Sequence, residues 1–144
     1  MTHRTSLAIL RIAALVVIGT GLLMLLAVLG PAEALFAMFL DLAFLPVDGA
    51  PSALAAETRL LAGIAAGLMA GWGATLWLIA SRVANDDPGL ATGLIVPGLI
   101  VWFVVDGIGS IAAGAWFNAV LNGGFLALFA VPLLAARRRP AARV

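Results

Sequence analysis

The chain alternates long apolar stretches with short polar breaks. From residue 7 to residue 29 the run is broken only by Arg11, Gly19, Thr20 and Gly21, and Gly30-Pro31 ends it. About 20 apolar residues carry a helix across a hydrocarbon core of roughly 30 Å, so residues 7–29 predict a first transmembrane span. A second long run covers 52–82, a third 88–113 and a fourth 118–136. Between the second and third lies Asn85-Asp86-Asp87-Pro88-Gly89, where Asp87 can cap the next helix and Pro88 can take its first position. Residues 114–117 predict the last turn, with Asn118 as a cap for the fourth span. A turn at 106–110 is the alternative.

The stretch 32–45 is apolar but too short to cross, and it carries Glu33 and Asp41. Eight residues apart, the two acids fall on one side of a helix, with Leu35, Phe36, Phe39 and Leu42 mostly elsewhere. That pattern predicts a short interfacial helix; a packed loop is the other reading. Asp48-Gly49 then marks a turn. The whole predicts an all-α, polytopic membrane protein: one membrane domain over 1–144, four transmembrane helices in an antiparallel bundle.

Charge sets the orientation. All 8 basic residues are Arg. With the N-terminus inside, the inner side holds Arg4, Arg11, Arg82, Arg137, Arg138, Arg139 and Arg143, and the outer side only Arg59. Basic residues collect on the cytoplasmic side, so both termini are expected there, in a bacterial inner membrane. Arg4 and Arg11 with Ala32-Glu33-Ala34 also fit a cleavable signal peptide. The apolar core from Ile12 to Leu29 exceeds the usual length of about 7–15 residues, which favours a retained anchor.

Composition narrows the chemistry. The chain is 64% hydrophobic and 10% charged, against about 25% charged in soluble domains. There is no Cys, Lys or Tyr, and the single His is His3. Thiolate metal sites, iron–sulfur clusters, Ser-His-Asp and Cys-His sets and lysine phosphate loops are therefore excluded. No cofactor, metal or nucleic-acid partner is expected, since the Arg residues sit at segment ends rather than on one basic face.

Two groups of residues remain. Gly63, Gly67 and Gly71, with Ala62, Ala66, Ala70 and Ala74 alongside, make small-residue strips on the second span. Spacing of four stacks residues on one face, against which another helix packs, within the chain or in a homo-oligomer. The second group is polar. Asp106 lies about 24 Å along the third helix, and ionisable residues inside membranes mark function by default. Glu57, Arg59, Ser110, Asn118 and Asn122 are expected at a similar, outer depth. They predict an Arg59–Asp106 ion pair supported by the two Asn residues, acting as a structural clasp or as a pocket for a small ligand or lipid headgroup. Trp72, Trp77 and Trp102 read as filling beside glycine-rich helices, and Trp116 as an interfacial anchor.

The segment Glu57-Thr58-Arg59-Leu60-Leu61-Ala62-Gly63-Ile64, with Gly67 and Gly71-Trp72-Gly73, looks like the second helix of small uncharacterised bacterial membrane proteins. Trp102-Phe103-Val104-Val105-Asp106, continuing to Gly109-Ser110 and Asn118, is similar to their third helix and turn. In architecture these resemble the DoxX-like four-helix membrane proteins, which implies a fold and not a reaction. The functional expectation is an accessory or scaffold subunit rather than an enzyme, partnered by membrane lipid and by another membrane protein or a second copy. The alternatives are a lipid- or ligand-binding bundle, or a homo-oligomeric transporter, using the outer polar group, and a membrane enzyme acting on lipid or quinone.

Overall fold

The computed structural model describes residues 2–50 and 55–137. Among these residues the chain is all helical, with five helices: α1 (His3–Leu29), α2 (Glu33–Phe44), α3 (Ala56–Arg82), α4 (Pro88–Ala112) and α5 (Trp116–Arg137). α1, α3, α4 and α5 are long and apolar enough to cross a membrane, which is compatible with a multi-pass membrane protein.

Local chemistry explains the boundaries. Thr2 opens α1 by accepting from the Thr5 N–H at 3.1 Å, and Gly30 closes it at φ 108°. Asp87 caps α4, accepting from the Leu90 N–H at 2.8 Å, with Pro88 as the first helical residue, as the sequence predicts. α4 ends on Gly114 at φ 82°, where the Gly114 N–H donates to Ile111 O at 3.0 Å and the Ala115 N–H to Ser110 O at 2.8 Å. That is a Schellman termination, which needs a residue free to adopt positive φ. It places the turn after 112, so residues 106–110 are helical and the alternative turn there is not formed. α5 starts at Trp116, two residues before the predicted 118. Asn118 therefore lies in its first turn and is not its cap. α3 is helical from Ala56; the predicted start at 52 falls on residues 51–54, outside the described residues, as does the tail beyond 137.

α2 is a helix, as the pattern over 32–45 predicts, but its two acids do not share a face. Eight residues turn roughly 80° past whole turns. Glu33 is exposed, whereas Asp41 is buried and accepts from the N–H groups of Asp48 and Gly49, each at 3.0 Å. Asp41 thus ties the following loop back onto α2.

α1 packs most extensively on α3, and also on α5 and α2, while α4 packs chiefly on α5. The main core draws on four helices, with Leu10, Ala13, Ala14 and Val17 of α1, Leu76 and Ala80 of α3, Ile95 and Leu99 of α4, and Phe129 and Leu133 of α5. A smaller cluster, Ala27, Ala32, Phe36 and Ala62, joins the end of α1 to α2 and the start of α3.

The α1–α3 contact is one of backbone on backbone. A Cβ on Gly21 would sit 2.7 Å from Ala66 O and 2.8 Å from Ala70 N; one on Gly73 would sit 2.9 Å from Ile18 N. The predicted glycine strip does not make this contact: a Cβ on Gly63, Gly67 or Gly71 would meet nothing within 4 Å. The strip that packs inside the chain is the adjacent one, Ala62, Ala66 and Gly73, because α1 lies against that face.

Gly21→Ala should push α1 from α3 and cost about 1–3 kcal/mol, the usual range for overpacking. Gly67→Ala should leave stability unchanged or raise it by up to about 1 kcal/mol through helix propensity. Thermal unfolding in detergent, run on both variants beside the parent, checks the contrast; equal effects would contradict the packing.

Candidate functional site

The expected polar group divides in two. Its first part lies where α1 ends and α3 begins. Four carbonyls at the end of a helix lack intrahelical partners. In α1 the Gly30 N–H donates to Ala27 O at 3.1 Å, the Ala32 N–H to Leu26 O at 3.3 Å, and the Arg59 guanidinium to Val28 O. Arg59 thus serves as a side-chain cap from a neighbouring helix, and its charge suits the negative end of the α1 dipole. It forms no ion pair with Asp106, contrary to the sequence expectation. α3 and α4 touch only sparsely; Trp72 and Trp102 are one such contact, with ring centroids 5.7 Å apart.

Around Arg59 is a narrow, shallow cleft of about 10 Å³ lined by Ala27, Val28, Glu33, Phe36, Arg59 and Ala62. Glu33 and Arg59 are both exposed, and no ion pair joins them. Phe36 also lines a second groove of about 70 Å³, between α1 and α2, with Thr20, Leu23, Met24, Leu35 and Phe39. The Thr20 hydroxyl donates to Val16 O at 2.9 Å, so the lining of that groove presents no uncommitted hydroxyl proton. From Val28 to Thr20 the axis of α1 covers about 12 Å. The two hollows have Phe36 in common; the first is lined by charged side chains at the α1 terminus and the second is apolar further along. Sequence reasoning missed Glu33 as a site residue, because only the turn at residues 30–32 brings it opposite Arg59. Glu57 is exposed in the first turn of α3, off the cleft wall.

The second part joins α4 to α5. The Asn122 side-chain amide donates to Asp106 Oδ2, and that of Asn118 donates to Ser110 Oγ at 2.8 Å. Both pairs are spaced by four on their helices, in opposite order along the chain, which makes a two-rung ladder. Asn122 and Ser110 are 7% and 8% exposed, so each polar group is matched where water is scarce. The ladder is complete in itself and needs neither Arg59 nor Glu57. Two polar atoms elsewhere, Arg11 Nε and Ser81 Oγ, are buried with no hydrogen-bond partner among the described residues.

No protein-family model, curated protein or solved structure matches the chain. The DoxX-like likeness rests on the sequence segments alone.

Removing Asp106 should strand the Asn122 amide. Asp106→Ala is expected to cost about 1–3 kcal/mol, as for a buried group left unsatisfied. In a double-mutant cycle with Asn122→Ala the two changes should couple by about 0.5–2 kcal/mol. The cycle of Asp106→Ala with Arg59→Gln should be additive within about 0.5 kcal/mol. Detergent unfolding free energies of the variants test both statements.

Proposed function

We propose that the protein is a four-span, antiparallel bundle of the bacterial inner membrane, with both termini cytoplasmic, that binds a membrane lipid where α1, α2 and α3 meet. One observation carries the reading: a cleft lined by two charged side chains and an apolar groove lie side by side, with Phe36 in both linings. A lipid has that same division, a charged head and apolar tails. Ligand sites combine apolar walls with a few placed polar groups, and the two hollows together have both. The opposite chain order of the Gly21–Ala66 and Gly73–Ala14 contacts favours antiparallel spans, and the Arg distribution favours inward termini. Retention of α1 is supported by its share of the core. The short α2, with Leu35, Met38 and Phe39 exposed, suits a helix lying at the outer interface.

A second reading, an accessory or scaffold subunit, is favoured by the glycine strip of α3. Gly63, Gly67 and Gly71 are uncovered within the chain, and small residues at such spacing let a further helix approach closely. The two readings occupy different faces of α3 and are compatible.

The chain has no Cys, so single cysteines report topology without background. Val47→Cys should react with an impermeant maleimide in intact spheroplasts, and Asn85→Cys only after permeabilisation; the reverse pattern would overturn the orientation. For binding, the protein purified in mild detergent should retain phospholipid by mass spectrometry, and Arg59→Gln should retain several-fold less. Equal retention would sink the assignment of the cleft.

A further inference from the structure

Resting on the lipid-binding reading, we infer that the cleft selects a phospholipid whose headgroup carries both a phosphate and a protonated primary amine, the phosphate on Arg59 and the amine on Glu33. The argument begins with two opposite charges lining one narrow cleft without pairing. Each would gain from a partner, and a single zwitterionic head supplies both.

The guanidinium has five N–H donors. Among the described residues it makes one hydrogen bond, to Val28 O. The remaining donors suit phosphate oxygens, which Arg binds in a two-pronged fashion. Glu33 also lines the cleft, is exposed, and its side chain makes no hydrogen bond among the described residues. An ionised carboxylate only accepts hydrogen bonds, so its complement is a donor, and an ammonium brings three.

Electrostatics argue against an anionic lipid at the same place. The stretch from the end of α1 to the first turn of α3 contains Glu33, Asp41, Asp48 and Glu57 against the single cation Arg59. A head with a net negative charge would meet Arg59 but also this excess of carboxylates. A zwitterion meets Arg59 without adding charge, and its amine is drawn to the acidic side. A choline head keeps the charge but loses the N–H donors.

The apolar groove sets the orientation. The groove lined by Thr20, Leu23, Met24, Leu35, Phe36 and Phe39 lies along α1 on the side of the cleft away from the helix terminus. A head held at the level of Val28 leaves an acyl chain to run beside Met24 and Leu23 towards Thr20, over about 12 Å. That is the direction a lipid of the leaflet at this end would take, with its tails towards the bilayer centre.

The test uses full-length protein equilibrated with mixed vesicles of phosphatidylethanolamine, phosphatidylcholine and phosphatidylglycerol, then analysed by native mass spectrometry. The wild type should retain phosphatidylethanolamine over each of the others by about threefold or more, the scale of one partly exposed charged contact. Glu33→Gln should remove that preference and raise phosphatidylglycerol, whereas Glu57→Gln, off the cleft wall, should leave the preference over phosphatidylcholine in place. Arg59→Gln should lower retention of all three. Circular dichroism and gel filtration establish that each variant is folded. Retention of phosphatidylglycerol or phosphatidylcholine as strong as phosphatidylethanolamine, or an unchanged preference in Glu33→Gln, would overturn the headgroup assignment while leaving lipid binding intact. No retained lipid of any kind would overturn both.

Discussion

The contact of α1 on α3 at Gly21 and Gly73 is the constraint on which the rest of the structure depends. Helices surrounded by lipid gain little from burying apolar side chains, since the tails are equally apolar; close packing has to hold them together. Two glycines, one on each helix, leave room for the facing backbone and for Ile18 and Met69 to approach where a Cβ would clash. That approach brings the end of α1 beside the start of α3, sets Val28 O within reach of the Arg59 guanidinium, and seats Ala62 in the cluster with Phe36. A looser crossing would part these groups together, and the cleft would have no walls.

Polar side chains take over where the apolar core thins. The largest core cluster spans residues 10–17 of α1 and 76–80 of α3, with 95–99 of α4 and 129–133 of α5. Towards the end of α4 the Asp106–Asn122 and Ser110–Asn118 rungs join it to α5. Hydrogen bonds between helices have a defined register, which apolar contact lacks, so the ladder fixes how α4 slides on α5. Arg59 does the same for α1 and α3 by bonding a terminal carbonyl.

Much of this architecture was legible in the sequence. Long apolar runs ending at Gly30-Pro31, at Asp87-Pro88 and near Gly114 marked out the four long helices, because a backbone in lipid must satisfy its own hydrogen bonds and leaves few alternatives to helix. The partners of polar residues were harder to read. Arg59 and Asp106 carry opposite charge and similar expected depth, which made pairing the obvious inference. Pairing also depends on which helices are neighbours at that level, and α4 packs far more on α5 than on α3. The spacing of four in Asn118 and Asn122 was visible, yet its match to Asp106 and Ser110 needed the register of α5 on α4. For the small residues of α3 the spacing was right and the face was not. Gly63 and Ala62 are one residue apart, about 100° around the helix, and sequence alone does not say which of two parallel small-residue strips is covered.

That difference of one residue separates the two surfaces of α3. The face with Ala62, Ala66 and Gly73 is consumed by α1, and Ala62 also reaches the cleft. The face with Gly63, Gly67 and Gly71 is uncovered within the chain. Arg59 stands one turn before Gly63, close to both faces. Its bond to Val28 O makes the same side chain part of the helix packing and part of the proposed lipid cleft. On the reading proposed above, a phosphate on Arg59 would draw on donors not used by the carbonyl, so binding need not undo the cap. It would instead add a second anchor to a guanidinium already held, and the ordering of that side chain would be shared between folding and binding. A helix packed on the glycine strip would lie beside the bound head, so an accessory role and lipid binding would act through one corner of the molecule.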